Sequence, residues 1–219
     1  MARLPLVLSF VALAVSASIA RPELELKLKP LLSQPEELIF AEEFDAFGAK
    51  WHAGHGDWTF EAGHARGASR AADHHGADYA RNQKYRDAIF QLVFKFDGSK
   101  TIDLNLIKSD SAGKREHVGK VIWTTSSMKL LAQTGIGPTT KNTTVAEKPA
   151  KLADGQWHTA LIEVIGDEIA VQLDTGDTAR AKHEMFDVDK SGLTLSLNGA
   201  AGLFDDLKVW KAVRKAGAR

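Results

Sequence analysis

Residues 88–96 read AIFQLVFKF and residues 101–107 read TIDLNLI, with the turn sequence DGSK between them. In each stretch every second residue is large and apolar. The two apolar series are Phe90, Leu92, Phe94 and Phe96, and then Ile102, Leu104 and Leu106. A period of two is typical of β-strands that bury one face, because successive side chains point to opposite sides of a strand. The region therefore predicts two strands joined by a glycine-containing turn.

The same alternation recurs further along the chain, at residues 169–173 and 193–197. Glycine-bearing turn sequences separate the strand candidates, as at residues 152–156, 164–168 and 173–177. About ten short strands with such turns predict an all-β, antiparallel β-sandwich of the jelly-roll kind. Residues 132–151 form the longest candidate loop, and long loops in compact domains are often functional.

The first twenty residues, MARLPLVLSFVALAVSASIA, combine an early arginine, an apolar run and small residues at the end. This pattern is typical of a cleaved signal peptide, and its apolar run is too short to span a membrane. We expect export to the periplasm or the outside of a bacterial cell, with no membrane insertion after cleavage. The predicted organisation is a signal peptide (1–20), a proline-containing linker (21–37), the sandwich domain (38–211) and a tail (212–219).

Charge and cysteine content restrict the class of protein. The chain has 28 basic and 28 acidic residues, so electrostatics give it no preference for nucleic acid. It has no cysteine, and the domain must therefore be held by its hydrophobic core alone. A chain of 219 residues is long enough for this, and we expect a single-domain monomer.

Three segments in order resemble a known superfamily: residues 40–67, which contain WHAGHGDW, residues 154–174, which contain a Trp-His pair, and the closing LFDDLKVW at 203–210. They resemble the concanavalin A-like lectin and glucanase superfamily, and within it the laminin-G-like 3-keto-disaccharide hydrolase domains. The resemblance implies a jelly-roll sandwich that acts on carbohydrate. The E-x-D-x-x-E strand that carries the catalytic carboxylates of jelly-roll glucanases does not occur here, since EEFDAF lacks the last carboxylate.

Polar residues between the buried positions predict a sugar-binding face. If their strands are neighbours, Gln91, Asp103, Asn105, His117 and Trp123 share the concave face of one sheet. Amides and carboxylates bind sugar hydroxyls, and an aromatic ring packs against the C–H side of the sugar. We therefore expect Gln91, Asp103, Asn105 and Trp123 to bind substrate. The alternative is that these residues form the ordinary polar outer face of a sandwich.

The resemblance implies a reaction in which a base removes a proton beside a keto group. Histidine suits this role because its pKa is close to neutral. We expect His117 on a strand, or His75 on a loop, to be the base, and Lys95 to stabilise the developing oxyanion.

Histidines cluster in two loops, at His52 and His55 in WHAGHGDW and at His74 and His75 in DHHGAD. These loops are candidates for a divalent-metal site, although the sequence identifies no set of ligands. The simpler interpretation of residues 51–58 is a glycine-bent entry into a hairpin whose histidines border the pocket.

The sequence thus predicts an exported protein with a carbohydrate ligand or substrate. The first hypothesis is a hydrolase or lyase of keto-glycosides that uses general-base chemistry. The second is a non-catalytic glycan-binding or adhesion module on the same sandwich, and a structural envelope protein without a ligand is the third.

Overall fold

The computed structural model describes residues 26–135 and 139–217, so the predicted signal peptide lies outside the described residues. Strands make up 65% of the structure, and no α-helix occurs among the described residues. In chain order the strands are β1 (Ser33–Glu42), β2 (Trp51–His55), β3 (Asp57–Glu61), β4 (His64–Ala68), β5 (Ala77–Tyr85), β6 (Ala88–Phe96), β7 (Ser99–Ser109), β8 (Arg115–Trp123), β9 (Ser127–Thr134), β10 (Lys141–Pro149), β11 (Trp157–Ile165), β12 (Glu168–Leu173), β13 (Thr178–Lys182), β14 (Lys190–Gly199) and β15 (Gly202–Arg214).

The strands form two antiparallel sheets. Sheet A has the order β13-β12-β11-β6-β15-β4-β3, and β1 pairs with the second half of β15. Sheet B has the order β10-β9-β8-β7-β14-β5-β2. The predicted all-β, antiparallel sandwich is confirmed. No helix among the described residues is long and apolar enough to cross a bilayer.

The core lies between the sheets and is built from the alternating apolar series. Phe90, Phe94 and Leu92 of β6 and Leu104 and Leu106 of β7 are fully buried in one cluster. Burial of a side chain of this size contributes about 1.5–3 kcal/mol, so these rows supply the stability that disulfides would otherwise provide. The predicted period of two is therefore correct for both strands.

A second apolar cluster covers the outer face of sheet A. It contains Leu32, Ile89, Leu161 and Trp210, with Leu26 and Leu28 of the N-terminal segment packed against it, among other residues. The buried Glu163 carboxylate holds this segment in place by accepting bonds from the backbone amides of residues 31–33 and from the Ser33 hydroxyl. The outer face of sheet A is thus occupied by the chain itself.

Three predicted boundaries differ from the structure. Strand β1 begins at Ser33, inside the segment expected to be a linker, because the Glu163 carboxylate fixes that segment on sheet A. Strand β15 continues to Arg214, into the expected tail. Residues 141–149 of the expected loop form β10, an exposed edge strand whose polar side chains gave no alternating pattern.

The stretch WHAGHGDW carries the chain from sheet B to sheet A. Strand β2 ends at His55, β3 begins at Asp57, and Gly56 between them has a φ of 75°. A Cβ at Gly56 would lie 2.4 Å from the Ala77 Cβ, so the bend requires glycine. Trp51 and Trp58 both stack on Tyr79, with ring centroids 4.7 and 5.0 Å away. The predicted glycine-bent entry into the β3–β4 hairpin is confirmed.

Candidate functional site

A polar groove of about 310 Å³ lies on the face of sheet B that points away from sheet A. Five strands and the loop before β5 contribute to it. The residues that line the groove are His55, His75, Asp78, Ala80, Asn105, Arg115, His117, Lys120, Thr194 and Ser196.

Strand register brings the side chains of the groove together in two rows. One row crosses β5, β14 and β7 as Asp78, Ser196 and Asp103. In the next row Thr194 lies opposite Asn105, which lies opposite Lys120 of β8. Residues opposite each other on neighbouring strands have Cβ atoms about 5 Å apart, so each row forms a continuous polar surface.

A β-bulge in β8 decides which of its side chains face the groove. Leu106 of β7 pairs with Gly119, whereas the next residue, Ile107, pairs with His117, which leaves Val118 as an extra residue. His117 and Lys120 therefore both line the groove, and Val118 is buried in the core.

The prediction that Trp123 lies on the same face of the sheet as His117 is wrong because of this bulge. Strict alternation puts Trp123 on the face of His117, but the bulge shifts the alternation by one residue. Trp123 is fully buried between the sheets and stacks on Phe94, with ring centroids 4.9 Å apart. It cannot offer its ring to a ligand in the groove.

Gln91 and Lys95 are also not in the groove, because β6 belongs to sheet A. The Gln91 Oε1 atom accepts a 2.6 Å bond from the backbone amide of Lys27, in the N-terminal segment. The Lys95 ammonium lies 5.0 Å from the centroid of the Trp157 ring. The expectation that Gln91 shares a face with Asp103 is wrong, and Lys95 is not placed to stabilise an oxyanion beside His117. The lysine that lines the groove together with His117 is Lys120.

Buried amide and carboxylate groups of β7, Asn105 and Asp103, lie on the same face of sheet B as the groove. Asn105 donates to the Thr194 carbonyl at 3.2 Å and to the Ser196 hydroxyl at 2.9 Å, while Asp103 pairs with the Lys120 ammonium at 3.0 Å. The Oδ1 atoms of Asn105 and Asp103 have no hydrogen-bond partner among the described residues. Buried polar atoms are normally paired, so these two oxygens are unsatisfied acceptors enclosed beneath the polar face of sheet B.

The electrostatic state of the groove follows from burial. Burial is the main cause that lowers the pKa of His117, and the nearby Lys120 and Arg115 charges lower it further. His117 is therefore neutral at pH 7 and can accept a proton. Burial raises the pKa of Asp103, although the Lys120 ammonium opposes this shift.

Arg115 was not identified from the sequence, and it is the other cation of the groove. It bonds to His52 Nε2 at 3.0 Å and to the Thr194 hydroxyl at 3.2 Å. Among the described residues no carboxylate forms an ion pair with it, so its guanidinium is free to bind an anionic or hydroxyl group. Burial lowers its pKa, but an arginine remains charged at any ordinary pH.

At the rim of the groove, strand β2, which carries His52 and His55, meets the loop that carries His74 and His75; the expectation that both segments are loops is wrong for the first. His55, His75 and Asp78 each offer a ligand atom, and these atoms lie within 4.8 Å of one another. His52 instead bonds to Arg115, and His74 ends a short 3₁₀ turn (Ala71–Asp73) with a φ of 49°. The prediction that histidines of WHAGHGDW border the pocket is confirmed for His55.

A larger depression of about 570 Å³ lies elsewhere, beside Lys84, Tyr85 and Lys190. The Lys190 amine donates to the carbonyls of Arg86 and Phe186 at 2.8 and 2.6 Å. Burial lowers the pKa of Lys190 to about 8. Because its amine is used in holding two backbone segments, we interpret Lys190 as structural.

No protein-family model matches the sequence, and no curated protein is significantly similar to it. Solved structures match its fold. The carbohydrate-binding module CBM66 from Bacillus subtilis superposes with a TM-score of 0.60 at 13% identity, over 74% of this chain and 96% of that one. The fold that this chain shares with these structures is an antiparallel jelly-roll β-sandwich.

Two further solved structures also superpose on the fold of this chain. A Bacillus subtilis protein described as having a galectin-like fold has a TM-score of 0.64 at 8% identity and covers 84% of this chain and 100% of its own. A β-1,3-1,4-glucanase (lichenase) from a mouse hindgut metagenome has a TM-score of 0.58 at 13% identity, over 80% of this chain and 99% of its own. At these identities the similarity concerns the fold alone.

Proposed function

We propose that the protein acts on carbohydrate and holds a sugar in the groove of sheet B. The observation that carries this proposal is the lining of the groove, where the hydroxyls of Thr194 and Ser196 lie with the Asp78 carboxylate and with the cations of Lys120 and Arg115. Such an alternation of fixed acceptors and donors suits a ring of hydroxyl groups. The proposal is also supported by structural neighbours whose names describe carbohydrate binding and glucan hydrolysis.

We further propose that the substrate is a 3-keto-glycoside, with His117 as the general base. The keto group at C3 acidifies the C2 proton, which the neutral imidazole of His117 accepts. The resulting enolate oxygen carries negative charge, and the ammonium of Lys120, which lines the groove with His117, stabilises it. As the C3 carbonyl re-forms, a C1=C2 double bond forms and the C1–O bond breaks; its electron pair leaves with the glycosidic oxygen, which takes the proton from the His117 imidazolium and restores the neutral base. Water can add to this bond to complete hydrolysis.

The carboxylates of the groove support this route over that of a retaining glycosidase. Asp78 and Asp103 flank Ser196, two strand spacings apart, which is roughly 10 Å between backbones. A retaining enzyme needs two carboxyl groups about 5 Å apart. The Asp103 carboxylate is moreover engaged by Lys120, which leaves His117 as the better base.

A non-catalytic glycan-binding module is the second candidate. It is favoured by the match to a carbohydrate-binding module over 96% of that module's length. No tryptophan or tyrosine is among the residues that line the groove. The groove therefore lacks the aromatic surface on which a binding module would stack an uncharged sugar, and this disfavours the second candidate.

The enzyme and the binding module can be distinguished by whether the bound sugar is cleaved. Wild-type protein is incubated with trehalose, 3-keto-trehalose and laminaritriose, while sugar release is followed by chromatography and binding by calorimetry. Release from the keto sugar alone, lost in His117→Ala but kept in the distant control His64→Ala, supports the enzyme. Saturable binding without release supports the module. Neither binding nor release with any of the three sugars contradicts the proposal. Circular dichroism checks that both variants fold.

A further inference from the structure

The rim of the groove contains a cluster that the sugar chemistry above does not use. We infer that His55, His75 and Asp78 form a binding site for a divalent transition-metal ion, of the class to which Zn²⁺ belongs. This inference stands independently of the proposed function, because it concerns three side chains that could hold a metal whether or not a sugar is cleaved.

The three side chains converge and have the chemistry that such an ion needs, since each offers one ligand atom and these atoms lie within 4.8 Å of one another. The Asp78 carboxylate hydrogen-bonds to His55 Nδ1 at 2.5 Å, and the imidazole rings of His55 and His75 have centroids 4.3 Å apart. Two imidazoles and one carboxylate are a ligand set found in zinc and other transition-metal sites, where further coordination positions stay open. Here the three residues also line the groove, so an open position would face it.

Backbone pairing fixes two of the three ligands. His55 of β2 lies opposite Asp78 of β5 in the strand register, just after a shift between Ala53 and His55. Gly54 lies at this irregularity. A Cβ at Gly54 would lie 2.1 Å from Asp78 Oδ1, so only glycine leaves room for the carboxylate in its present position.

Hydrogen bonds orient the third ligand. The backbone carbonyl of Gly76 lies 2.7 Å from His75 Nδ1 and can accept its proton, which leaves the Nε2 lone pair of His75 for a metal. Metal-binding histidines commonly donate their second ring nitrogen to a carbonyl or carboxylate in this way.

A hydrogen bond also joins the end of β2, which carries His55, to the loop that carries His75. Asp73 accepts a 2.7 Å bond from the Gly56 amide, and its other oxygen bonds to Arg70 at 2.9 Å. The loop before β5 is thereby held against the end of β2. The side chains of His55 and His75 are about half exposed, at 46% and 57%, which leaves them accessible to an ion from solvent.

The test is direct binding of metal to the full-length protein, produced without a polyhistidine tag and stripped with chelator. Calorimetry with ZnCl₂ measures affinity and stoichiometry, and CoCl₂ gives a visible absorption band that reports coordination. We expect one ion per chain, a raised Tm on saturation, and a Co²⁺ band. The affinity should fall at least tenfold in His55→Ala and in Asp78→Asn, and remain unchanged in the matched control His64→Ala.

Two results would overturn the inference. The first is the absence of saturable Zn²⁺ or Co²⁺ binding by the wild type. The second is binding that keeps its affinity in both ligand variants, which would place the ion elsewhere. If one variant fails to fold by circular dichroism, His75→Gln provides the replacement, because it removes a ligand on a loop outside the sheet.

Discussion

Replacing Glu163 with glutamine should loosen the N-terminal segment from sheet A and destabilise the protein. The Glu163 carboxylate is 1% exposed, and Oε1 accepts from the amides of Leu32 (2.9 Å) and Ser33 (2.7 Å) and from the Ser33 hydroxyl. Oε2 accepts from the Leu31 amide at 2.5 Å. In Glu163→Gln an NH₂ group replaces one carboxylate oxygen. If it replaces Oε2, the Leu31 amide faces a donor instead of an acceptor; if it replaces Oε1, the Leu32 and Ser33 donors do.

The size of the effect follows from these bonds. A hydrogen bond to a charged group contributes about 1.5–3 kcal/mol, and a buried donor left unpaired costs about 1–3 kcal/mol. Since the remaining oxygen keeps neutral bonds, we expect a loss of about 2–4 kcal/mol in the free energy of unfolding. For a chain of this length that corresponds to a fall in Tm of roughly 5–15 °C.

Urea unfolding followed by tryptophan fluorescence, together with calorimetric Tm, measures this loss. The matched control is Glu147→Gln on β10, whose half-exposed ion pair with Lys129 should contribute less than about 1 kcal/mol. Limited proteolysis should cut the variant, but not the control, before residue 33. Equal stability of the two variants would refute the conclusion that Glu163 anchors the segment.

Three other substitutions test separate features. Burial lowers the pKa of Lys190 to about 8, so between about pH 8 and 10 the unfolded chain binds one more proton than the folded chain. The free energy of unfolding should therefore rise with pH in this range, by at most about 1.4 kcal/mol per pH unit. Urea titrations at several pH values should show this slope in the wild type and not in Lys190→Met. Trp123→Phe should lower the free energy of unfolding by about 1–3 kcal/mol, because it leaves a gap beside Phe94. The affinity of the folded variant for a sugar should stay unchanged. A lower affinity would contradict the conclusion that Trp123 lies outside the groove. Gly54→Ala should displace the Asp78 carboxylate and weaken Zn²⁺ binding in calorimetry, and an unchanged affinity would contradict the role of Asp78 as a ligand.

The layers of the fold could be predicted because burial imposes a period of two on the sequence. Phe90, Phe94, Leu104 and Leu106 carry that period without interruption, and all four lie in the core. The turn at Gly56 could be predicted for a similar local reason, since only a glycine permits its backbone conformation.

The composition of the groove could not be predicted, because it depends on strand pairing between distant parts of the chain. Nothing local shows that β6 lies in the opposite sheet from β7, although the two strands are consecutive in sequence; this separates Gln91 from Asn105. A single extra residue, Val118, reverses the direction of Trp123 relative to His117. The pairing of β14 between β5 and β7 brings Ser196 between two aspartates, although the sequence of β14 looks like an ordinary core strand.

The location of sugar binding can be measured most directly by NMR. The protein, labelled with ¹⁵N, is titrated with trehalose, 3-keto-trehalose and laminaritriose, and shift changes of the backbone amides are mapped onto the strands. We expect saturable changes with at least one sugar, concentrated at residues 103–105, 117–120 and 194–196 of sheet B. Changes confined to the outer face of sheet A or to the depression beside Lys190, or no saturable change with any sugar, would contradict a carbohydrate site in the groove.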